Sequence, residues 1–166
     1  MKQKSLARLL VLAMATLPIA SSALADSQGG SFELYGGLFA PEDEEETTYG
    51  LRAGYRKSES LGFELSLGEV DLPFEFELRL VDLSIQRFLS PGGESEWVVS
   101  VGGGWAFIDA GPLGNADSAS AHLGLGWIAN LSDSVYLRTE VRDRWFEDGG
   151  DTELEATLAL GFVFGG

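Results

Sequence analysis

The sequence predicts an all-β protein: an eight-stranded antiparallel up-and-down transmembrane β-barrel with a polar, side-chain-filled lumen. Three observations predict it. Stretches of about ten residues alternate apolar and polar positions with a period of two, which marks strands with two unlike faces. The charges inside those stretches gather on one face, with acids and bases two residues apart. The connections alternate shorter and longer, as they do when the two ends of a barrel meet different compartments.

The strands are preceded by a leader. Lys2, Lys4 and Arg8 form a positive start, residues 9–20 are apolar, and Ala23-Leu24-Ala25 supplies a small-residue cleavage site. Residues 1–25 therefore read as a secretory signal peptide, with one barrel domain over residues 26–166. The rest of the chain has no Cys, so no disulfide supports it. Once Lys2, Lys4 and Arg8 leave with the leader, 8 of the 11 basic residues remain against 26 acidic ones, a net charge of −18. That balance excludes nucleic acid as a partner, because too little positive charge is left to meet phosphates.

The first strand spans residues 31–40, with Phe32, Leu34, Leu38 and Ala40 on one face and Glu33, Tyr35 and Phe39 on the other. The second spans 47–56 and sets Tyr49, Leu51, Ala53 and Tyr55 against Arg52 and Arg56. The third, 61–70, sets Leu61, Phe63, Leu65 and Leu67 against Glu64. The fourth is irregular: apolar residues hold even positions through Leu80, then odd ones from Val81. A β-bulge at Leu80–Val81 would re-aim the side chains in this way. The favoured reading is instead a membrane strand over 81–88, with residues 74–80 an extended loop arm above the membrane.

The fifth strand covers 96–107, with Trp97, Val99, Val101, Trp105 and Phe107 on one face. A Gly-, Pro- and Asn-rich loop over 109–118 leads to the sixth, 119–129, where Leu123, Leu125 and Trp127 face away from Ser120 and His122. The seventh runs over 135–146. Its polar face is a column of Tyr136, Arg138, Glu140, Arg142 and Arg144, and Trp145 stands on the other face. The eighth covers 153–164, with Leu154, Leu158, Leu160, Phe162 and Phe164 on the apolar face.

The charge partition orients the faces. On the apolar faces the charges read from sequence are Arg87 and Asp143, both near strand ends, where charge in lipid costs little. The other faces hold Glu33, Arg52, Arg56, Glu64, Asp82, Arg138, Glu140, Arg142 and Arg144. Charges in a narrow interior must be paired. Glu33, Arg52, Arg56, Glu64, Arg138, Glu140 and Arg142 are thus expected to form a structural ion network in the lumen. Trp97, Trp105, Trp127, Trp145, Phe162 and Phe164 are expected to face lipid. The remaining acids fall on the longer loops and make one rim negative.

Gly50-Leu-Arg-Ala-Gly-Tyr-Arg56, Val101-Gly-Gly-Gly-Trp105 and Leu137-Arg-Thr-Glu-Val-Arg142 resemble the small OmpA-like outer-membrane β-barrels. The resemblance covers the whole chain after the leader. It implies an integral protein of the outer membrane of a Gram-negative bacterium, held in lipid and folded by the outer-membrane assembly machinery. It is nearly silent on activity; the residues themselves are read as a monomer with a structural or surface-interaction role, without cofactor and without catalysis. Arg138, Glu140 and Arg142 match that family's inward charged column. Family members end on an aromatic residue, whereas here Gly165-Gly166 follow Phe164.

Other readings have weaker support. The pair His122 and Ser120 suggests lipid A deacylase chemistry, but it runs in the reverse order and on the inward face. The acidic loops suit Ca²⁺, yet Glu147-Asp-Gly-Gly-Asp151 lacks an EF-hand spacing, and a solvated rim is the simpler reading. The Arg/Glu column could line a small ion path, although eight strands enclose only enough room for side chains. A periplasmic lipocalin-like barrel with an apolar ligand would place the same faces the other way round.

Overall fold

The computed structural model describes residues 29–40, 45–72, 77–89, 94–109, 111, 114–147 and 152–165. The expected leader lies outside them. Eight strands follow one another: β1 (Gly29–Ala40), β2 (Glu46–Ser58), β3 (Leu61–Asp71), β4 (Glu77–Leu89), β5 (Ser95–Asp109), β6 (Asn115–Asn130), β7 (Val135–Phe146) and β8 (Thr152–Phe164). Each pairs antiparallel with its neighbours in sequence, and β1 pairs with β8, so the sheet closes. Closure leaves no strand edge with unpaired backbone groups, which is the condition for a sheet to stand in lipid.

Exposure alternates along every strand and is the inverse of a soluble barrel. Leu51, Leu65, Leu67, Leu83, Ile85, Val101, Leu123, Leu125 and Leu158 are exposed, while Arg52, Arg138, Arg142, Arg144, Glu64 and Glu140 are fully buried. The lipocalin-like reading required the opposite arrangement, so the geometry corrects it. Aromatic residues gather towards both ends of the outward face. Trp97 and Trp127 are cross-strand partners near the N-terminal end, with Phe162 and Phe164 on β8. Trp105 and Trp145 stand near the distal end. Belts at two levels suit two membrane–water interfaces.

β4 departs from the expectation. Its register with β3 and with β5 is unbroken, so no bulge lies at Leu80–Val81. Even-numbered residues point inward throughout, and Leu78 and Leu80 are buried. The apparent phase switch is a change of interior composition: the lumen is apolar at that height and polar below it. Residues 77–80 belong to the strand, not to a loop arm.

The connection lengths also differ from the expectation. β5 and β6 run to Asp109 and from Asn115, so half of the loop expected over 109–118 is strand. The distal connections are 41–45, 72–76, 110–114 and 147–151, and those at the N-terminal end are 59–60, 90–94 and 131–134. The contrast is small because strand extension takes up the polar residues. For the same reason Glu69, Asp71, Glu77 and Arg79, assigned to a loop or not placed from sequence, lie on β3 and β4 with Arg79 opposite Glu69. Arg87 and Asp143 are therefore not alone among outward charges.

Glycine sets how tightly the strands coil. A Cβ on Gly104 would stand 1.8 Å from the Val81 carbonyl oxygen and 2.8 Å from Asp82 Cα. Backbone cannot swing away, so Gly104→Ala is expected to destabilise the barrel by about 1–3 kcal/mol. At Gly36 the nearest atom, the Thr48 carbonyl oxygen, lies 3.8 Å away. Gly36→Ala should then shift stability by no more than about 0.5 kcal/mol. Urea titration of both variants refolded in detergent micelles checks the pair, and equal losses would contradict the close-approach argument.

Candidate functional site: a sealed charge network

The interior is stacked in layers, and each layer follows from which residues sit at inward positions. At the N-terminal end Phe88, Val98, Ile128 and Tyr136 form an apolar cluster with Val163 packed against it. At the distal end Phe39, Val70, Leu78, Leu80 and Ala106 form a second cluster, joined by Leu72, Ile108 and Phe146. The Phe39 and Phe146 rings meet edge to face at 6.5 Å. The main charged layers lie between the two.

The central layer is balanced, three acids against three bases. Glu140 meets Arg52 at 3.1 Å and both Arg138 and Arg142 at 2.9 Å. Glu64 accepts from Arg138 and from Arg142, each at 2.5 Å. Glu33 meets Arg138 at 3.1 Å and Arg52 at 3.5 Å. Neutral donors add to the carboxylates: Ser100 to Glu140 at 2.8 Å, Gln86 to Glu64 at 2.7 Å and the Tyr136 hydroxyl to Glu33 at 2.7 Å. The Arg52 guanidinium also lies 4.2 Å above the Tyr35 ring, where the ring face attracts a cation.

The column on β7 thus works by reaching across the lumen. Arg138 and Arg142 find their acids on β1 and β3, some seventy to a hundred residues away in sequence. Such charge-assisted contacts are short and strong because the medium around them is poor in water.

Above this layer Arg144 holds Asp82 with two parallel contacts of 2.8 Å and reaches Glu155 at 3.2 Å. His122 Nε2 pairs with Ser84 Oγ at 2.9 Å, and His122 Nδ1 lies 3.8 Å from Asp82 Oδ1. Below it Arg56 meets both Glu96 oxygens, at 2.7 and 2.9 Å, and lies 4.0 Å above the Phe88 ring.

Of the expected network, Glu33, Arg52, Glu64, Arg138, Glu140 and Arg142 are in mutual contact in the central layer. Arg56 is inward too but belongs to a separate pair with Glu96 near the N-terminal mouth. Two participants were missed. Glu96 opens the expected fifth strand at an inward position that the charge partition left unassigned. Glu155 was counted with the rim acids, yet it is buried and contacts Arg144. Its inward parity on β8 was the signal that could have found it. The expected deacylase-type pair is also re-sorted. The serine bonded to His122 is Ser84, while Ser120 accepts from Arg144 at 3.3 Å.

Ser84, His122 and Asp82 share the residue types of a hydrolytic triad. Their setting is different. All three are at most 2 % exposed, and Asp82 is committed to Arg144 by two contacts. A pocket of about 50 Å³ at the N-terminal mouth, lined by Arg56, Glu96 and Tyr136, borders the network at Glu33 and Arg138.

These features define a class: an eight-stranded barrel with an apolar exterior, aromatic belts and a packed ionic interior. Solved outer-membrane barrels share the fold. The N-terminal β-barrel domain of Pseudomonas aeruginosa OprF superposes with a TM-score of 0.68 at 19 % identity, covering 84 % of this chain and 99 % of that one. Neisserial surface protein A superposes at 0.66 and 15 % identity, covering 83 % and 98 %. The outer membrane protein OprG of Pseudomonas aeruginosa gives 0.61 at 13 % identity, covering 87 % and 100 %. No family model matches the chain, and no curated protein matches it.

Proposed function

We propose that this chain is an integral barrel of a Gram-negative outer membrane with a structural or surface-interaction role, neither conducting nor catalytic. The observation that carries the reading is the closure of the charge network between two apolar clusters. An ion crossing the lumen would have to shed its hydration shell, displace Phe39, Leu78 and Leu80, and separate buried ion pairs. The outward apolar band supports lipid as the surrounding partner, and the closed strand ladder supports a monomer. Delivery by the outer-membrane assembly machinery follows from the same reading.

The exposed part of the distal edge is acidic. Asp71, Glu77 and Asp109 stand in one cross-strand row, which presents negative charge to any surface partner. Reconstituted in planar bilayers at the concentrations used for porins, the protein is expected to give a quiet baseline. Reproducible discrete current steps from the purified barrel would overturn the non-conducting role.

A further inference from the structure

The outward wall is not uniformly smooth. On β1–β4, below the distal edge, it carries a groove of about 570 Å³. Leu34, Leu51, Leu67 and Val81, one cross-strand row over β1–β4, form its apolar side, and its floor is the wall at the paired Gly50 and Gly68, backed by Tyr35 and Leu80. The upper rim is polar: Tyr49 donates to Glu69 at 3.0 Å, and Arg79 lies opposite Glu69.

The rim decides which amphiphile fits. Arg79 is already bound to Glu77 at 2.7 Å. Directly above, Glu77 is flanked by Asp71 on β3 and Asp109 on β5, like charges in register, which repel one another across strands. A phosphate head at this rim would meet excess negative charge. A cationic head would relieve it while its chain filled the apolar groove. We propose that the groove is a binding site for a single-chain amphiphile with a cationic head, the chain lying against Leu51 and Leu67 and the head at Glu69, Asp71 and Glu77. The site rests on the membrane-embedded reading above, since the groove must open to lipid.

The test uses the barrel in phosphatidylcholine nanodiscs with one tryptophan as reporter. Trp105 is the cross-strand neighbour of Val81, so Trp97, Trp127 and Trp145 are replaced by Phe. The probes are a bromine-tipped dodecyl trimethylammonium and a bromine-tipped dodecyl phosphate, read by quenching. The ammonium probe is expected to half-quench Trp105 at about tenfold lower concentration than the phosphate probe, the scale of one to two interfacial charge contacts. Glu69→Gln with Glu77→Gln should abolish that preference. Leu51→Phe with Leu67→Phe should weaken quenching by both probes. A second protein that keeps Trp145 alone reports the opposite wall and should show no preference.

Equal half-quenching by the two probes, a preference untouched by the Glu→Gln pair, or the same preference at Trp145 would each overturn the site. The last outcome would assign the effect to the net charge of the whole barrel. A protein that does not enter nanodiscs at all would overturn the membrane reading together with the site, whereas one that enters and shows no preference overturns the site alone.

Discussion

Glu140→Ala is expected to destabilise the refolded barrel by about 3–5 kcal/mol, the cost of leaving buried charge without its partner. Glu140 is the acid shared by Arg52, Arg138 and Arg142, and it also accepts from Ser100. Its loss leaves three buried guanidinium groups to share Glu33 and Glu64. Removing a carboxylate on an exposed face would cost far less, about 0–1 kcal/mol. Glu140→Gln keeps the shape and the acceptor oxygen but not the charge, so its loss should fall between wild type and Glu140→Ala. Arg142→Ala should behave like the alanine variant in direction, because it frees Glu64 and Glu140 from one cation. Urea titration in detergent micelles, followed by tryptophan fluorescence, measures all three. An unchanged midpoint for Glu140→Ala would mean the network is not what holds the lumen together.

Leu83→Arg is expected to cost about 2–4 kcal/mol when the barrel is folded into lipid vesicles. Leu83 is midway along β4 and 62 % exposed. On a water-soluble protein, an exposed leucine changed to arginine stays within about 0.5 kcal/mol. The same substitution therefore separates the two environments: the penalty arises only if the outward face meets hydrocarbon. Near the strand ends the penalty should fall to about 0–1 kcal/mol, consistent with Arg87 and Arg79 being tolerated there. A vesicle-folded Leu83→Arg barrel as stable as wild type would contradict a lipid-facing wall.

The strand count, the inward and outward faces and the members of the central network were legible in the sequence. Period-two alternation fixes which residues share a face, and the need to pair charge in a narrow interior fixes which face is inside. What sequence could not supply was height. Leu78 and Leu80 looked out of phase because an inward position is assumed to be polar, yet in this lumen the distal layer is apolar. Glu155 looked like a rim acid because it follows an acidic loop, and only its pairing with Arg142 across β7 and β8 brings it down into the Arg144 layer. His122 was legible as an inward residue, but Ser84 as its partner was not. The two lie 38 residues apart on different strands, and strand register, not spacing, brings them together.

The loops show the opposite failure. Polar residues at 109–118 read as a connection, but β5 and β6 continue through half of them because the ladder extends past the membrane, where polar outward residues face water. Composition marks where lipid ends and carries no information on where pairing ends.

Cell fractionation tests the central claim most directly. Expressed in a Gram-negative host, the protein is expected in the outer-membrane fraction, resistant to salt and carbonate washing, released only by detergent, and shifted in SDS gel mobility by boiling. Release into the periplasmic fluid on osmotic shock, with no change in mobility on boiling, would contradict a barrel that stands in the membrane with its charges sealed inside.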